Sequence, residues 1–285
     1  MTKRIQADLH VHTSLSDSTM SPREVIDRAV AVGLDMIAVT DHDTMHGVAE
    51  AQRCGERRGV TVVPGVEVST YHGTDEFHVL GLYVDAVNLS FLEKLDEICK
   101  ARLERIYEIS AKLKQMGVDV EAEEVIDLAA GGSPGRTHVA RVLLRRGYVG
   151  DISEAFSRYV GDSAPAIVPK RFMTVEQAIA EIRNAGGVSI LAHPGLVQQR
   201  DAFIPLFAEM GLNGLEAFYP SYRRMQTQHY LELAARLGLV ASGGSDCHGS
   251  RRDGIMLGRV RLPGHYVEKI FALARMLPGS IPGGR

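Results

Sequence analysis

The chain has 285 residues, 45% apolar and 24% charged, the balance of a soluble globular protein of one large or two modest domains. That balance excludes a disordered or fibrous chain, and no apolar run approaches the ~18 residues of a membrane span. A net charge of −3 gives no global basic field, so a polyanion would have to be held by a local cluster. Ile5–Val11 reads as a strand that begins too early to leave room for a signal peptide. Ser21-Pro22 then opens a helix to about Val32, with Pro22 at its first position. Met36–Val39 reads as a strand, Val48–Arg58 as a helix and Val60–Val63 as a strand; Val66–Thr70 and Phe77–Val84 are strand-like.

From Phe91 to Met116 the rhythm changes. Apolar residues at Leu92, Leu95, Cys99, Leu103, Ile106, Ile109, Leu113 and Met116 predict one long helix. Helical patterns follow at Glu121–Ala130, Thr137–Arg146 and Ile152–Val160, with no strand among them. The alternation then resumes, with helices at Val175–Asn184, Phe203–Glu209, Gln226–Leu237 and Tyr266–Met276. Strands are expected at Val188–Leu191, Leu212–Ala217, Leu239–Ser242 and near Gly258–Leu262. Strands separated by helices point to a parallel β/α architecture. Residues 101–167 stand out as a small all-helical insertion between barrel-forming segments 1–100 and 168–285. Three widely spaced cysteines (Cys54, Cys99 and Cys247) make no disulfide framework, which points to the reducing cytoplasm.

The 11 histidines are informative for where they fall. His10, His12 and Asp17 follow the first strand, His42 the second and Glu67 the third. His78 opens the Phe77–Val84 run, His193 follows Val188–Leu191, and Asp246 and His248 follow Leu239–Ser242. A parallel barrel brings the C-terminal ends of its strands to one mouth, where active sites are built. So many acids and imidazoles in one pocket repel or perturb one another unless cations lie between them. Nine ligands suit two or three ions, and mixed imidazole and carboxylate favours Mn, Fe or Zn over Mg or Ca. Asp41 and Asp43, flanking His42, are read as groups that orient ligands, with Asp41 also a candidate to protonate a leaving oxygen. His46, His72, His229 and His265 are read as surface or capping residues, Cys247 as packing, and Tyr219 and Tyr222 as half-buried aromatics.

His10-Val11-His12-Thr13, Thr40-Asp41-His42, Gly65-Val66-Glu67, His78, Ala192-His193-Pro194 and Gly244-Ser245-Asp246-Cys247-His248 together resemble the signature of the PHP family, named for polymerase-associated and histidinol-phosphatase domains. The resemblance implies a distorted TIM-like (β/α)7 barrel with a trinuclear metal site. It suggests His10, His12, Glu67 and Asp246 on one ion, a bridging Glu67 with His78 and His193 on a second, and Asp17, His42 and His248 on a third. Gly135-Arg136-Thr137-His138 and Val168-Pro169-Lys170-Arg171 are similar to the branch of the family that removes the 3′-phosphate from nucleoside 3′,5′-bisphosphates or trims short 5′-phosphorylated RNA.

Phosphate-ester hydrolysis needs a nucleophile, charge neutralisation at phosphorus and a stabilised leaving oxygen. A hydroxide bridging two metal ions at Glu67, Asp246 and His193 would meet the first need, with Mn2+ favoured and Fe2+ or Zn2+ as alternatives. Arg136, Lys170 and Arg171, with His138, are the candidates to clamp a second, non-reacting phosphate. The expected substrate is thus a small phosphorylated nucleotide or short oligonucleotide, with neither a membrane nor sequence-specific DNA as partner. The competing readings are a histidinol-phosphate phosphatase or a C–N bond hydrolase using the same metals, and a catalytically silent PHP scaffold. The amino alcohol is cationic where the basic residues would call for an anion, and a silent module would lack ligands that this sequence retains.

Overall fold

The structure, a computed structural model, describes residues 5–73, 75–129, 132–161, 163–168, 173–196, 200–249 and 254–277. Among the described residues eight strands form one sheet: β1 (Gln6–Val11), β2 (Met36–Val39), β3 (Thr61–His72), β4 (Asp75–Leu82), β5 (Val188–Leu191), β6 (Gly214–Phe218), β7 (Val240–Gly243) and β8 (Leu262–Pro263). Their spatial order is β7-β6-β5-β4-β3-β2-β1-β8. The helices are α1 (Pro22–Val32), α2 (Val48–Arg58), α3 (Leu89–Gln115), α4 (Ala122–Leu128), α5 (Arg136–Arg145), α6 (Ile152–Ala155), α7 (Val175–Asn184), α8 (Ile204–Glu209), α9 (Arg224–Leu237) and α10 (Gly264–Ala274). A π-helical turn, Phe156–Val160, continues α6 where the sequence pattern predicts one unbroken helix.

β1–β2–β3 and β5–β6–β7 are parallel, as the alternation predicts. β4 is the exception, antiparallel to both β3 and β5. Its direction has a functional consequence. The start of β4 lies at the same mouth as the ends of its antiparallel neighbours β3 and β5, which is why His78 reaches that mouth from the first half of a strand. The runs expected as two strands, Val60–Val63 and Val66–Thr70, are one strand, β3. Pro64-Gly65 marks the point where it leaves β2 and takes up β4: Val39 is opposite Pro64, and Gly65 is opposite Leu82. A Cβ at Gly65 would lie 3.0 Å from the carbonyls of Val39 and Gly81, so glycine lets the strands approach closely at that handover.

The sheet curls until β7 returns to β1. His12 N donates to Cys247 O at 3.1 Å and Asp246 N to His10 O at 2.8 Å, nearly closing the barrel. Gly244 makes the approach possible, since a Cβ there would lie 2.4 Å from His10 N. The mixed α/β barrel expected from the sequence is therefore present. It has an eighth strand of two residues, β8, added antiparallel to β1.

One apolar core lies between the strands and the surrounding helices and includes Val11, Ile26, Ile37, Val66, Ile179 and Phe207. A second gathers Leu9, Leu80, Leu82 and Ile190 with Val267 and Ile270 of α10, which packs across β1, β5, β7 and β8. A third belongs to the helical segment: Ile106, Ile109 and Leu113 of α3 pack with Val125, Val139, Leu143 and Val160. The buried face of α3 differs from the predicted stripe. Arg102 and Arg105 are buried on it, whereas Met116 is 41% exposed. The two arginines hold the helical segment to its surroundings: Arg105 Nε donates to Val168 O at 2.7 Å, and Arg102 bonds the carbonyl of Pro134 at 3.2 Å.

Candidate metal centre

Residues two apart on a strand share a face, so β1 sends His10 and His12 to the same side while Val11 enters the core. Glu67 of β3, fully buried, is the hub. Its Oε2 lies 3.2 Å from His10 Nε2, 3.2 Å from His12 Nε2 and 3.1 Å from His42 Nδ1. Its Oε1 lies 2.9 Å from His78 Nδ1 and 3.0 Å from His193 Nε2. Asp246 Oδ1 is 3.0 Å from His12 Nε2 and 3.4 Å from His248 Nδ1, and His248 Nε2 is 3.0 Å from Asp17 Oδ1. All nine residues singled out in the sequence thus come together.

Three groups of these side chains present ligand atoms within 4.8 Å of one another: His10, His12, Glu67 and Asp246; His12, Asp17, His42 and His248; and His42, Glu67 and His78. The fit to cations is testable from the donors themselves. Asp17 Oδ1, His42 Nδ1, Glu67 Oε2 and Asp246 Oδ1 are buried and carry no hydrogen bond, although imidazole nitrogens or carboxylate oxygens lie close by. Buried polar atoms are ordinarily paired, and unpaired ones that converge call for an ion. The donor set, imidazole and carboxylate, suits divalent metals.

The electrostatics agree. Burial works against ionised Glu67, yet His42, His10 and His78 hold its carboxyl well below the usual range. Asp246 is likewise lowered against burial, by His10 and His248. Burial also opposes protonation of His12, but the carboxylates of Asp246 and Glu67 beside it push it up to about 10. His42 goes the other way, drawn down by burial to about 3 despite Glu67 and Asp17. Without ions, the centre balances its carboxylates with imidazolium protons that an ion would displace.

Backbone strain is concentrated here. Asp43, His193 and Asp246 have φ of 53°, 31° and 49°, a left-handed conformation that costs a non-glycine residue about 1–3 kcal/mol. Each is held by specific bonds. Asp43 Oδ1 accepts from Ser69 N at 2.6 Å and its Oδ2 pairs with Nε and Nη2 of Arg102, and Nη2 also donates to Ser69 Oγ at 2.8 Å. His193 N donates to Glu216 Oε2 at 2.7 Å. Asp246 Oδ2 accepts from Tyr219 OH at 2.8 Å.

Asp41 accepts from Thr13 N and Thr13 Oγ1, both at 2.7 Å, and from Ser16 Oγ at 2.6 Å. It therefore fixes the loop after His12, as an orienting group should. These bonds engage both carboxylate oxygens, while burial raises the pKa of the carboxyl. Asp8, Glu216, Arg102 and Glu76 were not singled out in the sequence. Asp8, pushed up to about 6 by burial, accepts from Ser245 N at 2.7 Å and Gly258 N at 3.1 Å, which anchors the Asp246 loop. A buried acid inside an apolar strand is the signal that finds Asp8 and Glu216.

Of the expected phosphate clamp, Arg136 begins α5. One amino group is 3.5 Å from Glu76 Oε2, whose Oε1 is 3.0 Å from His78 Nε2, so the guanidinium lies one side chain from the centre. His138 takes a different role. It is 1% exposed, and its Nδ1 accepts from Gly135 N at 3.2 Å, capping α5 rather than facing a ligand. Lys170 and Arg171 lie outside the described residues. Arg145 and Arg146 are engaged by Glu124, and Arg141 donates to Asp17 O at 2.6 Å, tying α5 to the loop of a candidate ligand.

With this geometry in hand, comparison with known proteins is decisive: the PHP domain pattern matches residues 8–176. The chain belongs to the PHP family. A 3′,5′-nucleoside bisphosphate phosphatase of Chromobacterium violaceum is 34% identical over 259 residues, 87% of this chain and 88% of its own. The 5′-3′ exoribonuclease Rnm of Escherichia coli is 32% identical, covering 85% and 84% of the two chains. A crystal structure described as a putative metal-dependent phosphoesterase from Bifidobacterium adolescentis superposes with a TM-score of 0.84 at 28% identity, covering 93% of this PHP chain and 95% of its own. The expectation of a metal-dependent PHP phosphoesterase is thereby met at the level of reaction class. Among the described residues no helix is long and apolar enough to cross a membrane.

Proposed function

We propose that this PHP phosphoesterase removes the 3′-phosphate from nucleoside 3′,5′-bisphosphates, using two or three divalent ions with Mn2+ preferred. One observation carries the metal reading: four buried ligand atoms without hydrogen bonds, on Asp17, His42, Glu67 and Asp246, fall within the three ligand groups at the mouth where β1, β2, β3, β4, β5 and β7 deliver their side chains. The ions would sit among His10, His12, Glu67 and Asp246; among Glu67, His78 and His193; and among Asp17, His42 and His248. When bound, they supply Lewis acidity, lowering the pKa of water from about 15.7 to near 7 and neutralising charge on the phosphoryl group.

The chain's own residues do the rest. Glu67, shared between ligand groups, fixes their separation, and His193 and Asp246 set the face that the reacting phosphate meets. Their strained backbones, held by Glu216 and Tyr219, keep the ligands fixed before substrate arrives. Arg136, at the N-terminus of α5, supplies a cation with two parallel N–H donors for the 5′-phosphate, with Lys170 and Arg171 as its expected companions. Residues 101–167 then act as the specificity element of the protein, and 1–100 with 168–285 as its metal-binding barrel. The bisphosphatase relative supports this choice of substrate, and the exoribonuclease relative supports a second, short 5′-phosphorylated oligonucleotides. A silent scaffold is disfavoured because the full ligand set converges. Histidinol phosphate is disfavoured because its ammonium would meet Arg136.

The test is phosphate release in Mn2+, comparing a nucleoside 3′,5′-bisphosphate, the matching 5′-monophosphate, a phosphodinucleotide and histidinol phosphate. The bisphosphate should be turned over with the highest kcat/KM. A preference for histidinol phosphate would overturn the substrate assignment.

A further inference from the structure

Glu216 lies in the middle of β6, in the otherwise apolar run Gly214–Phe218, and is fully buried. Nothing in the packing of an apolar strand calls for a carboxylate there. Its two oxygens serve two different strands' ends. Oε1 is 3.0 Å from His10 Nδ1, and Oε2 accepts from the backbone N–H of His193 at 2.7 Å. His10 and His193 approach opposite oxygens of Glu67, with His10 Nε2 on Oε2 and His193 Nε2 on Oε1.

An ionised carboxylate only accepts hydrogen bonds, so His10 must carry a proton on Nδ1 in that contact. That fixes the orientation of the ring and leaves Nε2 as the atom aimed at Glu67 and Asp246. The second oxygen acts on the backbone of His193, whose φ of 31° needs an external restraint. One carboxylate thus sets the tautomer of a ligand on one side of Glu67 and the backbone of a ligand on the other.

We propose that Glu216 is a positioning residue that couples the two ion sites sharing Glu67, through His10 Nδ1 and the His193 amide. This inference rests on the metal reading of the centre. Glu216→Gln is the informative change because it keeps the volume of the side chain. An amide has one accepting oxygen, so its NH2 must face one of the two donors and that bond is lost. Loss of such an outer partner lowers metal affinity by about 10–100-fold.

The experiment is a titration of the full chain with Mn2+ alone, with free Mn2+ read by electron paramagnetic resonance for wild type and Glu216→Gln. Near-ultraviolet circular dichroism checks that both are folded. The account predicts Mn2+ uptake by wild type, and in Glu216→Gln an affinity about 10–100-fold weaker for more than one ion. Unchanged affinity and stoichiometry in a folded Glu216→Gln protein would overturn the role of Glu216 while leaving the metal reading intact. A wild-type protein that binds no ion would overturn both. A second measurement needs no variant: nitrogen-15 spectra of zinc-loaded wild type should show the His10 proton on Nδ1. A proton on Nε2 would contradict the proposal even if Glu216→Gln failed to fold.

Discussion

Arg102 Nε lies 2.7 Å from Asp43 Oδ2 in a fully buried ion pair, which joins the long helix α3 to the loop that carries His42. The same guanidinium reaches Ser69 of β3 and the carbonyl of Pro134 just before α5. One side chain therefore links the helical segment, the β2 loop and the hub strand.

Removing one partner of a buried pair strands the other charge. Arg102→Ala should cost about 3–5 kcal/mol in urea denaturation. The Asp43 φ of 53° then loses a restraint, so metal affinity should fall along with stability. A cost below about 1 kcal/mol would place Arg102 in a solvated contact instead.

Metal uptake should release protons. His12, pushed up to about 10 by Asp246 and Glu67 against burial, carries a proton at neutral pH in the ion-free protein. Coordination requires its neutral form, so affinity should rise with pH. Calorimetry of Mn2+ binding in buffers of different ionisation enthalpy reads the release directly, and no dependence on buffer would refute it.

His138 gives stability a separate pH dependence. Burial draws its folded-state pKa down from 6.5 to about 4. Because that value lies below the unfolded one, its contribution is complete above pH 6.5 and is lost as pH falls toward 4. The full loss is about 3 kcal/mol. His138→Asn retains an acceptor for Gly135 N without titrating in this range. Its stability, compared with wild type between pH 7.5 and 4.5, should fall less steeply with acid; parallel curves would contradict this.

Arg136 separates recognition from chemistry. Arg136→Ala should raise KM for the 3′,5′-bisphosphate by about 10–100-fold, the worth of charge-assisted hydrogen bonds, and barely alter KM for a 3′-monophosphate. Equal losses on the two substrates would remove Arg136 from the clamp.

Much of the centre was legible because its chemistry sits in short motifs beside apolar runs. His10-Val11-His12 and Asp246-Cys247-His248 declare themselves by residue type, and alternation assigns their middle residues to packing, as the burial of Val11 and Cys247 shows. What stayed hidden depends on pairing. Glu216 and Asp8 stand in the sequence as acids within apolar runs, but their roles emerge only when β6 and β1 bring them against the backbone amides of His193 and Ser245. Arg102 reads as a polar residue beside an apolar stripe, because its partner Asp43 is 59 positions away. His138 shows the converse. Its place beside Arg136 at a helix start suggests a phosphate contact, whereas the turn of the helix directs its ring back onto Gly135.

The central claim is that Glu67 lies between cations held by distant strand ends. Anomalous diffraction from crystals grown with Mn2+ tests it most directly. The account predicts two or three peaks around Glu67, each within about 2.0–2.3 Å of imidazole nitrogens or carboxylate oxygens. A well-ordered Glu67, His12 and Asp246 with no anomalous density between them would contradict it.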